Sequence, residues 1–223
     1  MTSSKPPRQA TLHYIFDPLC GWCYAAAPLV DAARAVPGLR IELHGGGMMT
    51  GPNRRPITSA WRSYVMPHDH RIAELSGQPF GAAYFDGLLN DVGAMLDSAP
   101  PLTAVLAAQA VADRGLDMLN RVQRAHYVDG RRIAERPVLE DLAADIDLAP
   151  TTFATAYDEL SGESTHRHIA HSRQWLARAG GQGFPTFALE TPTAQVVPVE
   201  AGRFLGQPDA WTTQLQQLIA QVA

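Results

Sequence analysis

The stretch FDPLCGWCYAAAPLV, Phe16 to Val30, decides how this chain is read. It holds the only two cysteines, Cys20 and Cys23, with Gly21 and Trp22 between them. Two thiols at this spacing serve as half of a zinc site, as a structural disulfide or as a redox pair. Just upstream, TLHYIF (Thr11–Phe16) mixes aromatic and β-branched residues and sets Leu12, Tyr14 and Phe16 on one face, the pattern of a strand. The polar turn Asp17-Pro18 follows. Downstream of the cysteines an alanine-rich run reads as a helix, which Pro28 is expected to kink or interrupt and Pro37-Gly38 to end. LRIELHGG then reads as a second strand, with Leu39, Ile41 and Leu43 on one face.

Composition narrows the setting. The chain has 223 residues, 46% hydrophobic and 18% charged, with a formal net charge of −4. That balance offers no basic surface for nucleic acid. No run approaches the roughly 18 apolar residues of a membrane span. The start, MTSSKPPRQATLHYIF, has no apolar core of the kind a secretory signal needs, and its opening residues read as a disordered lead-in. A chain that begins in this way is expected to stay in the cytosol, where thiols are kept reduced. A disulfide across two residues also closes a very small loop and constrains little of the unfolded chain. A structural staple therefore fits poorly.

Beyond the second strand, residues from about Arg55 to Gly180 read almost wholly as helix. Leu102, Val105 and Leu106 keep helical spacing, with Gly115 placed to cap that helix; Leu119, Val122 and His126 share a face of the next, which stops at Gly130. Val138, Leu142 and Ile146 form another stripe, and Ser161-Gly162 punctuates the helices that follow. Thr50–Pro101, broken by Gly77, Pro79 and Gly81, reads as short helices and loops. Strand patterns return in FPTFALE (Phe184–Glu190) and AQVVPVE (Ala194–Glu200), the second an edge strand because it contains Pro198. Trp211, Leu215, Leu218 and Val222 mark a terminal amphipathic helix. The order is βαβ, a long helical block, then ββα. That is an α/β domain, residues 11–50 plus 181–223, interrupted by an all-helical insertion, residues 51–180.

The chemistry of the pair follows from its position. A thiolate attacks disulfides, and an unperturbed cysteine is only about 3% ionised at pH 7. Cys20 opens a helix, where unpaired N–H groups and the positive end of the dipole favour an anion. Cys23 lies one turn further in, within reach to resolve a mixed disulfide. A second informative stretch is GQGFPTF, whose Phe184-Pro185 bond, after a glycine-rich approach, is well suited to a cis peptide.

DPLCGWCYAAAPL, the long helical middle and GFPTF followed by a strand and a last helix together resemble the DsbA-like branch of the thioredoxin superfamily. They look most similar to its signal-less, cytosolic FrnE-like members, also described as predicted protein-disulfide isomerases. The resemblance spans nearly the whole chain and implies a thioredoxin-like fold around the insertion. It implies a thiol–disulfide oxidoreductase in which Cys20 is the nucleophile, Cys23 the resolving thiol and Pro185 the cis-proline, with the Phe184 backbone beside the substrate. Protein or small-molecule thiols and disulfides would be the partners, no cofactor would be bound, and glutathione is a candidate co-substrate. Such chains occur as monomers and as homodimers. Gly21-Trp22 stands where the periplasmic oxidases have Pro-His, so a donor to the nucleophilic thiolate is missing and strong oxidising power is not implied.

Competing readings attach to several residues. His68 and His70, or His168 and His171, offer nitrogen ligands for a zinc site with the two cysteines, although a strand–CxxC–helix context favours redox chemistry and no metal is expected. Asp17 either tunes the cysteines and relays protons or simply opens a turn. His126 is either a packed histidine or a proton-transfer group. Trp22 contacts substrate or packs against the insertion. HGGGMMTG (His44–Gly51) lacks the Gly-Lys-Ser/Thr ending of a phosphate loop and reads as a loop at the rim of the site. The second functional class is a glutathione-dependent transferase or isomerase of the kappa or 2-hydroxychromene-2-carboxylate isomerase type, and the intact cysteine pair speaks against it. A third is a binding protein or chaperone that uses the insertion groove.

Overall fold

The computed structural model describes residues 10–222. The lead-in ahead of Ala10 and the side chain of Val222 lie outside the described residues. Strand β1 (Ala10–Phe16), helix α1 (Gly21–Ala33) and strand β2 (Leu39–Gly45) form the first unit, with β1 and β2 parallel. Strands β5 (Thr186–Glu190) and β6 (Val196–Val199) and helix α8 (Pro208–Val222) form the last. The sheet runs β2-β1-β5-β6, its later pairings antiparallel, which leaves β6 with Pro198 at an edge where a missing N–H breaks no ladder.

Alternation along β1 divides the two faces. Leu12, Tyr14 and Phe16 join the main core with α1 and α8, where Trp211 meets the Phe187 ring edge-on. His13 and Ile15 face the other way, under helix α7 (Glu163–Arg178), whose Trp175 stacks on His13 at 3.7 Å. The insertion contributes α2 (Ser59–Ser76), α3 (Ala99–Ala112), α4 (Gly115–Tyr127), α5 (Arg136–Asp145) and α6 (Pro150–Leu160), and its apolar faces run continuously into the core beneath α1.

Three local expectations are corrected. Helix α1 passes through Pro28 without a break, because the Tyr24 carbonyl that Pro28 cannot serve accepts instead from the Gln78 amide at 2.9 Å. Ser59–Ser76 is one helix of 18 residues, opened by the Thr58 side chain, which accepts from the Trp61 N–H, and closed by Gly77 at φ 72°. Its exposure hides it from periodicity, since few of its side chains are buried. Gly115 begins α4; the turn that ends α3 is Asp113 at φ 56°. The helical block also holds a two-residue antiparallel bridge between β3 (Arg55–Pro56) and β4 (Met95–Leu96).

Candidate active site

Cys20 stands immediately before α1 in an extended conformation, and its carbonyl accepts from the N–H groups of Cys23 and Tyr24. The turn Asp17–Cys20 is closed by the Cys20 N–H donating to the Asp17 carbonyl at 3.1 Å. Both thiols are free. Cys20 retains 7% exposure and Cys23 none. Burial, and then a hydrogen bond with the Cys20 thiol, pushes Cys23 well above the ordinary thiol range. The pair is asymmetric by position: one sulfur at a helix N-terminus facing out, one protonated behind it.

The loop before β5 closes over the outer sulfur. Phe184-Pro185 is a cis peptide, and the Phe184 carbonyl accepts from the Cys20 Sγ at 3.3 Å. The glycine loop after β2 leaves room for the Phe184 ring: a methyl on Gly46 would stand 2.2 Å from its Cε1. Arg173 of α7 holds that loop by donating to the carbonyls of Gly46 and Gly47, and the His168 Nε2 accepts from the Gly45 N–H.

Asp17 does more than open a turn. Its carboxyl is fully buried and accepts from the Leu19 N–H, the Met48 N–H and the Ser98 hydroxyl, so it ties the CxxC turn to the glycine loop and to the start of α3. Its own N–H points to the Cys23 Sγ at 3.5 Å. Burial raises it to about 6 against the pull of those hydrogen bonds.

Trp22 is half-buried and borders two grooves. One, of about 540 Å³, runs along Gly181–Phe187 and Ala201-Gly202. The other, of about 800 Å³, opens from Cys20 into the insertion between Met48, Trp61, Tyr64 and Val65. His126 lies in the wall of this second groove, almost wholly buried; its Nδ1 has no partner among the described residues, and burial depresses it to about 3. Met48 and Met49 border the same groove, as a rim loop would.

The other histidines go elsewhere. His168 supports the glycine loop, His70 stacks on Phe85 and His68 packs near Tyr64. Among the described residues, the one set of three potential metal ligands that converge is His13, Glu42 and His44, without either cysteine.

Sequence reasoning missed Asp69. This residue of α2 sits in the PHDH run, where only the histidines drew attention. It is 5% exposed, and its Oδ2 accepts from the Tyr84 hydroxyl at 2.8 Å. Its Oδ1 would stand 3.2 Å from a methyl placed on Gly21, inside the CxxC turn. Gly21 was the available signal, but nothing local says what crowds it.

Comparison with known proteins places this geometry. No family model and no curated protein matches the chain. Among solved structures, the cytosolic disulfide reductase DsbM from Pseudomonas aeruginosa is 55% identical over 95% of this chain and 99% of its own, with a TM-score of 0.89. The same protein solved with GSH matches at 55% identity over 94% and 99%, with a TM-score of 0.87. Pseudomonas aeruginosa DsbA (15% identity, TM-score 0.53, 99% and 87% covered) shares the fold. So does a 2-hydroxychromene-2-carboxylate isomerase (13%, 0.60, 96% and 99%). The likeness to DsbM extends over nearly the full length of both proteins, and the chain belongs to the DsbM family of DsbA-like, thioredoxin-fold thiol–disulfide oxidoreductases.

Proposed function

We propose that this protein reduces disulfides in the cytosol through the Cys20–Cys23 couple, with glutathione as the reductant that recycles it. The observation that carries the reading is the asymmetry of the pair: Cys20 at the helix start beneath the Phe184 carbonyl, Cys23 buried behind it. The naming of DsbM as a cytosolic disulfide reductase, and its structure with GSH, support the direction and the co-substrate.

The Cys20 thiolate attacks one sulfur of a substrate disulfide, and the other sulfur leaves as a thiolate and takes up a proton. Cys23 then loses its proton and attacks the Cys20 sulfur, which releases the second substrate thiol and leaves a Cys20–Cys23 disulfide. Two electrons have passed to the substrate. Two glutathione thiols restore the pair and become glutathione disulfide. Asp17 is the base for Cys23: its backbone N–H lies 3.5 Å from that sulfur, its carboxylate is near enough for its charge to raise the thiol, and burial lifts the carboxyl to about 6, close to the range where a base both accepts and releases protons. Phe184 and Pro185 align an extended substrate, and Trp22 contacts it from between the two grooves. His126 stays neutral and shapes the groove wall. The net charge of −4 gives nucleic acid no attraction.

The test combines turnover with trapping. Cys23→Ser accumulates a mixed disulfide with substrate or glutathione, detected by mass, while Cys20→Ser turns over nothing. Full activity in Cys20→Ser would overturn the reading.

A further inference from the structure

A carboxyl packed against the CxxC turn has no part in the thiol chemistry. Helix α2 presses against α1 at Gly21, where an added methyl would meet the Ile72 Cδ1 at 2.8 Å and the Asp69 Oδ1 at 3.2 Å. The carboxyl therefore lies against the first residue of the helix whose N-terminus holds Cys20, and both residues border the same groove. Tyr84 serves Oδ2, and no arginine neutralises the group among the described residues. The other groups around it are the neutral His126 and the Tyr127 hydroxyl from α4, with His68 and His70 on its own helix. Around the sulfur itself stand Cys23, the Phe184 carbonyl and the buried, neutral Tyr14 and Tyr127.

We infer that Asp69 is a positioning residue that sets the direction of the couple: its carboxylate, held against Gly21, opposes the Cys20 thiolate and so keeps the pair reducing. This rests on the reading of the site as a Cys20-initiated reductase. The physics is that of redox poise. A dithiol becomes an oxidant when its reduced form is stabilised, above all through the nucleophilic thiolate. The N-terminus of α1 supplies such stabilisation. A like charge in a nearly dry site takes part of it away. With the intervening histidine of the oxidases replaced by Trp22, the thiolate loses a donor and gains an opponent. Gly21 fits the same design, because a methyl there would displace the Ile72 side chain and crowd the Asp69 carboxyl. Burial lifts Asp69 to about 6, so the charge is present at neutral pH and fades as the pH falls below that value.

The experiment uses the full chain at pH 7.5. The Cys20–Cys23 couple is equilibrated with glutathione buffers, and the alkylation rate of reduced Cys20 is measured with neutral iodoacetamide. Asp69→Asn is expected to shift the equilibrium with glutathione about tenfold towards the dithiol, which is about 30 mV less negative, and to speed alkylation several-fold. Both differences from the parent shrink as the pH is lowered through about 6, where Asp69 loses its charge. Tyr84→Phe removes the hydrogen bond and keeps the charge, so its potential stays with the parent. Asp69→Ser serves if the asparagine variant does not fold. The inference is overturned if neither substitution moves the potential, if Tyr84→Phe moves it equally, or if the shift is the same at pH 5 and pH 7.5. A parent couple more oxidising than glutathione, with the Asp69→Asn shift intact, would overturn the reductase reading while still showing that Asp69 opposes the Cys20 thiolate. A reducing parent with no shift would do the reverse.

Discussion

Asp17 shows how much one buried carboxyl does in this site. It accepts from two backbone N–H groups and a hydroxyl on three separate segments, and its backbone faces the resolving thiol. Asp17→Asn keeps one acceptor oxygen and loses the base. The expected result is slower release of substrate from the mixed disulfide, by at least tenfold at pH 7 given the usual range for general-base catalysis, with the alkylation rate of Cys20 nearly unchanged. Stopped-flow resolution of a preformed mixed disulfide measures it. In the parent the same rate should rise with pH through about 6 as Asp17 ionises, and the variant should lack that rise. A variant that resolves as fast as the parent would remove Asp17 from the proton path.

Elements meet at this site through glycines, because the CxxC turn, the glycine loop and the proline loop approach too closely for side chains. Gly46→Ala tests the approach of the loop after β2 to the residue before β5. The added methyl would stand 2.2 Å from the Phe184 ring, so the ring of the residue whose carbonyl lies over Cys20 must shift. A loss of about 1–3 kcal/mol of stability is expected from such overpacking, measured by urea unfolding, together with a fall in kcat/KM larger than the stability change explains. A substitution that unfolds the protein no more easily and leaves kcat/KM intact would show that the Phe184 carbonyl is not positioned by this contact. Helix α7 reaches the same loop from the opposite face of the sheet, through Arg173 and His168. Thus the face of the sheet remote from α1 also steadies the site.

Over the whole molecule, buried titratable groups set how the fold responds to acid. His44 and His126 are lowered to about 3 and His168 to about 4, in each case first by burial. Their depressed values mean that the unfolded chain binds more protons below about 6.5, so stability is lost progressively as the pH falls from there and levels off below the folded values. Asp17 and Asp69, each raised to about 6, act in the opposite sense: between about 4 and 6 the folded state holds their protons and the unfolded state does not. Three histidines against two aspartates leave the unfolded chain ahead by about one proton, and His13, also lowered, adds to it. Stability should therefore fall by about 1.4 kcal/mol per pH unit between pH 6 and pH 4, followed by denaturant unfolding. His126→Leu removes one of these groups and an unpartnered ring nitrogen, and should flatten that slope by about one proton. An unchanged slope would mean that His126 takes up no proton on unfolding.

Read on its own, the chain determined the features that depend on neighbours in sequence. The alternation of Leu12, Tyr14 and Phe16, the placement of Cys20 before a helix, the proline before β5 and the βαβ–helices–ββα order are all written in local pattern, and strand and helix periods make them legible. Helix α2 escaped that reading, since a mostly exposed helix with an internal proline needs no apolar stripe. The partners of the active site were decided by tertiary structure alone. Gln78 serves the carbonyl that Pro28 frees, Asp17 finds its donors on the glycine loop and α3, and Asp69 comes to rest on Gly21. Each of these is a close approach between segments far apart in the chain, created when apolar faces pack, and no short stretch of residues carries the distance across which its charge or hydrogen bond will act. CGWC announces a thiol pair; the packing of α2 against α1 gives its Gly21 a reason and sets a carboxyl against that residue.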